Sequence, residues 1–116
     1  MNLYLCSIDL KDDAKATQFA AAVEAWMAHL KGAGTIAGWR LLRCKLGFGR
    51  PSASDFMLEI EVDDLAQLDR AFRLTGSGDE EVERLYTPVH QMVGRFITAL
   101  YRPFPDPERR ERMALL

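Results

Sequence analysis

A chain of 116 residues has the size of one globular domain, and 48% hydrophobic with 28% charged residues excludes a disordered segment. Fifteen Lys and Arg against seventeen Asp and Glu leave a net charge of −2, without the basic field that nucleic acid or an anionic membrane surface attracts. No run approaches the ~18 apolar residues of a membrane span, and the first residues lack the order of a secretory signal. The two cysteines, Cys6 and Cys44, are too few for a disulfide scaffold, so the composition predicts a cytoplasmic protein with free thiols.

Leu3 to Leu10 alternate as a first strand, with Tyr4, Cys6, Ile8 and Leu10 on one face and Leu3, Leu5, Ser7 and Asp9 on the other. Asp12 or Asp13 is placed to cap a helix. Phe19, Val23, Trp26, Met27 and Leu30 then form one helical stripe that Gly32-Ala33-Gly34 ends. Ile36 to Phe48 reads as the second strand, followed by a turn containing Gly47, Gly49 and Pro51. Asp55 to Val62 is the third, with Phe56, Leu58, Ile60 and Val62 on one face and Met57, Glu59 and Glu61 on the other.

A second helical region opens at Asp63-Asp64 and buries Leu65, Leu68 and Phe72. It breaks at Gly76-Ser77-Gly78 and resumes with Ser77 and Glu80 in capping-box spacing. Pro88 deletes one helical hydrogen bond, which predicts a kink or a fresh turn there. Met92 to Arg102 is the fourth strand. Residues 103–116 read as a C-terminal arm, with Phe104 among three prolines, that packs on its own domain or on a partner. Without repeat or linker, residues 1–116 make a single domain.

The order strand, helix, strand, strand, helix, strand is a ferredoxin-like βαββαβ α+β plan. Right-handed crossovers place both helical regions on one sheet face. The other face should then be polar, yet both parities of the second strand carry large apolar groups. Trp39 and Leu41 point one way and Leu42 and Leu46 the other; Leu3 and Leu5 likewise oppose Tyr4 and Ile8. Apolar groups on both faces require two covers, and a second copy of the sheet supplies the missing one. The expected assembly is a homodimer.

Four segments carry a resemblance: Gly38-Trp-Arg-Leu-Leu-Arg43, Asp55-Phe-Met-Leu-Glu-Ile-Glu61, Pro88-Val-His-Gln-Met92 and Leu100-Tyr-Arg-Pro-Phe-Pro-Asp106. With the element order and size, they resemble an uncharacterised bacterial family of dimeric ferredoxin-like proteins. That family lies within the dimeric α+β barrel superfamily, beside stress-responsive barrels and antibiotic-biosynthesis-type monooxygenases. The resemblance implies a barrel of two sheets with a cavity in each protomer between sheet and helices, and it carries over no activity.

Glu59 and Glu61 share one face of a strand that is central in the expected order 4-1-3-2, ~7 Å apart, with Arg40, Arg43 and Lys45 on the next strand as counter-ions. They form either a salt-bridge network that fixes dimer register or a polar site for a small ligand. His90 is the candidate general base; otherwise it is a half-buried ring bonded to a backbone carbonyl. Tyr86 is its neighbour one turn earlier if the helix survives Pro88, and Trp39 or Trp26 would line a cavity with them. Cys6 and Cys44, with the third strand between them, lie ~10 Å apart, beyond disulfide reach. Scattered His and Cys make no metal set, and no cofactor motif is present.

Three functional readings follow. The first is a small-molecule-binding homodimer with a metabolic or stress-response role. The second is a cofactor-independent monooxygenase- or isomerase-like enzyme, in which Arg43 or Arg40 holds an anionic intermediate. The third is an interaction module without catalysis.

Overall fold

The computed structural model describes residues 1–50 and 53–105. Its elements run β1 (Asn2–Leu10), α1 (Ala16–Gly32), β2 (Gly38–Arg43), β3 (Phe56–Val62), α2 (Leu65–Thr75), α3 (Glu80–Met92) and β4 (Val93–Tyr101). The strands form one antiparallel sheet in the order β2-β3-β1-β4, which is the order expected from the sequence. The fold is α+β and ferredoxin-like.

Alternation decides which residues meet the helices. Opposed residues of an antiparallel pair share a face, so Tyr4, Cys6 and Ile8 of β1 line up with Ile60, Leu58 and Phe56 of β3. Trp39, Leu41 and Arg43 of β2 extend that row on one side, and Leu100, Thr98 and Phe96 of β4 on the other. Phe19, Val23, Trp26, Met27 and Leu30 of α1 are all buried against this helix side. Phe19 is sealed completely, its ring centroid 5.2 Å from that of Phe56.

The opposite, open face carries Leu3, Leu5 and Ser7 of β1, Met57, Glu59 and Glu61 of β3, Arg40 and Leu42 of β2, and Ile97, Ala99 and Tyr101 of β4. No described helix covers it. Ile97 and Tyr101 expose 59% and 58% of their surface there.

Local structure departs from the sequence reading at several ends. β2 closes at Arg43, not Phe48. Its partner β3 begins at Phe56, opposite Arg43, and after one further bond from Cys44 N–H to the Asp55 carbonyl the chain turns. Phe48 and Gly49, at φ 50° and 75°, make that turn. Neither Asp12 nor Asp13 caps α1: residues 11–14 form a turn, and the N-cap is Lys15, without a side-chain cap bond. The cap of α3 is Asp79, accepting from Val82 N–H at 3.1 Å, while Ser77 Oγ accepts from Asp79 N–H. One lost hydrogen bond at Pro88 does not interrupt α3, which continues to Met92.

Two polar devices pin the elements. Asp64 caps α2 by accepting from Gln67 N–H, and Gln67 reaches back to Asp63 N–H while donating to the Gly34 carbonyl. Across the sheet end, Leu10 N–H donates to Asp55 and Asp55 N–H donates to Asp9, both at 3.0 Å. There β1 and β4 slip register at Asp9/Leu10. Gly94 sits against that bulge, where a Cβ would come within 3.3 Å of Lys11 N.

Of the C-terminal arm, Phe104 is 97% exposed and does not pack on its own domain; residues 106–116 lie outside the described part. No helix among the described residues is long and apolar enough to cross a membrane.

The burial of Phe19 sets a stability test. Phe19→Ala should destabilise the fold by about 3–5 kcal/mol in urea unfolding at matched protein concentration. Leu46→Ala, in the exposed turn region, should stay within about 0.5 kcal/mol.

Candidate functional site

The rows that face the helices do not fill the space beneath them. A cavity of about 230 Å³ remains between sheet and helices. Its floor is Tyr4, Cys6 and Ile8 of β1 with Leu58 and Ile60 of β3 and Phe96 and Thr98 of β4. Trp26, Met27 and Leu30 come from α1 and Leu68, Ala71, Phe72 and Thr75 from α2. α3 contributes Tyr86, Val89 and His90.

The polar centre of this wall is a pair on consecutive turns of α3. Tyr86 Oη and His90 Nδ1 stand 3.2 Å apart, with ring centroids at 5.4 Å. The continuity of α3 through Pro88 makes this i,i+4 contact. Trp26 of α1 meets Tyr86 in a tilted contact with ring centroids 5.8 Å apart, and stacks on His29 of its own helix at 5.9 Å. His90 is exposed while also lining the cavity, so it stands at the mouth. A neutral imidazole has one donor and one acceptor nitrogen. With Tyr86 donating to Nδ1, the ring proton sits on Nε2. With the proton on Nδ1, the phenol oxygen accepts and Nε2 is free to act as a base.

Cys6 lies on the floor directly opposite Thr98. Burial pushes its thiol up from 9.0 to about 11, because desolvation disfavours the thiolate. The sequence marks Cys6 only as a free thiol, not as a cavity residue. Its parity with Tyr4 and Ile8 was the available signal. Cys44 is exposed, and both thiols are free.

The remaining candidate residues lie elsewhere. Arg40 Nε donates to Glu59 Oε2 at 2.5 Å on the open face, a bond that raises the Arg40 pKa further. Glu61 stands two residues along the same side and lines, with Leu3, Trp39, Arg40 and Glu59, a hollow at the β2 edge. Trp39 itself aligns with Ile60 on the helix side and packs against the core. Arg43 places its guanidinium carbon 5.9 Å from the centroid of Phe56 and lines a polar hollow at the sheet end with Lys11, Asp12, Cys44 and Asp55. The sheet therefore separates Arg40, Glu59 and Glu61 from Tyr86 and His90, and Arg43 is at neither place. Among the described residues, no group of three or more His, Cys, Asp or Glu side chains is arranged to hold a metal ion.

The model of DUF6614, a family of unknown function, matches residues 1–116. The chain belongs to that family. No curated protein matches. Among solved structures, At3g17210 from Arabidopsis thaliana is similar with a TM-score of 0.71 and 6% identity, over 89% of this chain and 95% of that one. A dimeric ferredoxin-like protein of unknown function from Thermobifida fusca is similar with a TM-score of 0.59 and 15% identity, over 86% and 88% of the two chains. An antibiotic biosynthesis monooxygenase is similar with a TM-score of 0.62 and 14% identity, over 90% of this chain and all of that one. At these identities the likeness concerns the fold that this DUF6614 member shares with them.

The two thiols should differ sharply in alkylation by iodoacetamide. At pH 8 a thiol with pKa about 11 is ionised to only about one part in a thousand, so Cys44 should label first and Cys6 only after unfolding. Because the folded pKa of Cys6 lies above its unfolded value, the native state retains a proton that the unfolded state releases. The stability that Cys6 contributes should therefore fall as pH rises from about 9 to 11, and the unfolding difference between wild type and Cys6→Ala should shrink over that window.

Proposed function

We propose that this DUF6614 protein is a small-molecule-binding homodimer of the cytoplasm with a metabolic or stress-response role, and that the helix-side cavity is its ligand site. The observation that carries the reading is an apolar cavity whose wall is interrupted by a hydrogen-bonded tyrosine and histidine at the mouth. Concave apolar surface with a few convergent polar groups is the common form of a small-ligand site. In size, about 150 Å³ accommodates benzene, so this cavity suits a substituted single ring.

The dimer is supported from the other side of the sheet. Leu3, Leu5, Leu42, Ile97 and Tyr101 form an apolar field on the open face, and the Thermobifida fusca neighbour of similar fold is dimeric. Arg40 and Glu59 sit within this field and would serve register, since an ion pair placed among apolar groups disfavours misaligned packing. Residues 103–116 would complete the assembly as a packing arm.

A second reading is a cofactor-independent enzyme of monooxygenase or isomerase type, with His90 as the base. The 3.2 Å contact to Tyr86 favours it, since that contact fixes the ring, and a neighbour in fold is a monooxygenase. Arg40 and Arg43 have no part in this version, because neither lines the cavity.

Light scattering at micromolar concentration should give the mass of a dimer, and Ile97→Asp should convert it to a folded monomer; a monomeric wild type would end the dimer proposal. Thermal-shift screening with single-ring compounds should raise the melting temperature of the wild type. At a hundredfold excess over Kd, binding adds about 2.7 kcal/mol. His90→Ala should reduce that shift, and in the enzymatic reading it should also abolish turnover of the compound bound.

A further inference from the structure

The cavity wall carries information about charge as well as size. Among the described residues, every side chain lining it is apolar, aromatic, a hydroxyl, a thiol or the imidazole of His90, and no Lys, Arg, Asp or Glu lines it. Arg40 is held by Glu59 on the far side of the sheet, and Arg43 lies over Phe56 at the sheet end. The Cys6 thiol is held protonated by its burial and adds no charge. Of the other hydroxyls, Thr75 is committed to the Ala71 carbonyl.

From this we infer that the ligand is a neutral molecule, one compact ring in size, with a hydroxyl or carbonyl group placed at the Tyr86–His90 pair. The inference rests on the ligand-binding reading above. An ionised carboxylate or ammonium entering this cavity would surrender its hydration without meeting an opposite charge, and that loss is large. A hydroxyl or carbonyl surrenders far less and regains it from the pair. Tyr86 and His90 between them offer both a donor and an acceptor, so either polarity of group is served. The apolar remainder of the ligand meets Met27, Leu58, Ile60, Leu68 and Phe96, which bind it without directional demands. Charged metabolites, including carboxylates, phosphates and amines, are thereby rejected by the wall itself.

The test is calorimetric titration of the full chain at pH 7.5 with compounds of matched size: 4-methylphenol, benzyl alcohol, benzoate, benzylammonium and toluene. The phenol and the alcohol should bind at least about tenfold more tightly than either ion. Tyr86→Phe, which keeps the ring, and His90→Ala should each weaken both by about three- to tenfold and leave toluene within about twofold. If benzoate or benzylammonium binds as tightly as the neutral compounds, the neutral-ligand inference fails while the ligand site stands. Toluene binding as tightly as 4-methylphenol, or an unchanged Tyr86→Phe and His90→Ala, removes the assigned role of the pair. If none of the five binds up to its solubility limit, the inference falls together with the ligand-binding reading.

Discussion

A four-stranded sheet has two faces, and the described helices of this chain cover one of them. The organisation of the molecule depends on that imbalance. On the covered side, Phe56, Leu58, Ile60 and Val62 of β3 meet the stripe of α1 and are buried. On the other side, Leu3, Leu5, Leu42, Ile97 and Tyr101 have no cover from the described helices. Burying an apolar side chain of this size is worth roughly 1.5–3 kcal/mol, so a field of several such groups is a standing drive toward association. In the proposed dimer that drive is met by a second sheet. The central strands gain most, because β1 and β3 are hydrogen-bonded on both edges and have only their faces left to protect.

The covered side has its own imbalance. β4 is an edge strand, and its residues Phe96 to Tyr101 are exposed, whichever face they point to. The helices pack toward β3 and the centre of the sheet, leaving the β4 side of the interior less filled. That offset gives the cavity its floor of Cys6 and Thr98, and it leaves Phe96 at the margin rather than in the core. Cavity and open face therefore have one origin: the three described helices are too few to close a four-stranded sheet.

Much of this was readable from side-chain period alone. β3 alternates so regularly that its faces, and hence the positions of Glu59 and Glu61, follow from one parity choice. The α1 stripe and the i,i+4 relation of Tyr86 to His90 were legible for the same reason, since spacing along a helix fixes neighbours. Strand and helix ends were not. β2 ends where its partner ends, which depends on the register of Arg43 with Phe56 and not on residues 44–48 themselves. The helix caps depended on which of several neighbouring acceptors the loop geometry favoured: Asp79 over Ser77 at α3, and none of the nearby aspartates at α1. Nothing in the sequence marks Cys6 as a cavity residue, because a cavity is a shortfall of packing among six elements, and a shortfall has no local sequence signature.

The period of two also explains how one thin sheet can keep two chemistries apart. Along β3, Leu58 and Ile60 face the cavity while Glu59 and Glu61 face the reverse side, and along β2, Leu41 lies on the helix side and Arg40 on the open face. Every charge placed on the open face is thereby excluded from the cavity by the backbone itself, at a distance of one residue along the chain. A register slip of one residue would bring Glu59 under the helices and lose both properties at once. The Arg40–Glu59 bond opposes that slip, since it forms only when those two residues stand opposite one another. An ion pair with one half largely exposed contributes little to stability. Its value lies in keeping Glu59 and Arg40 on the face where two sheets meet in the proposed dimer, and so in keeping those charges out of the helix-side cavity.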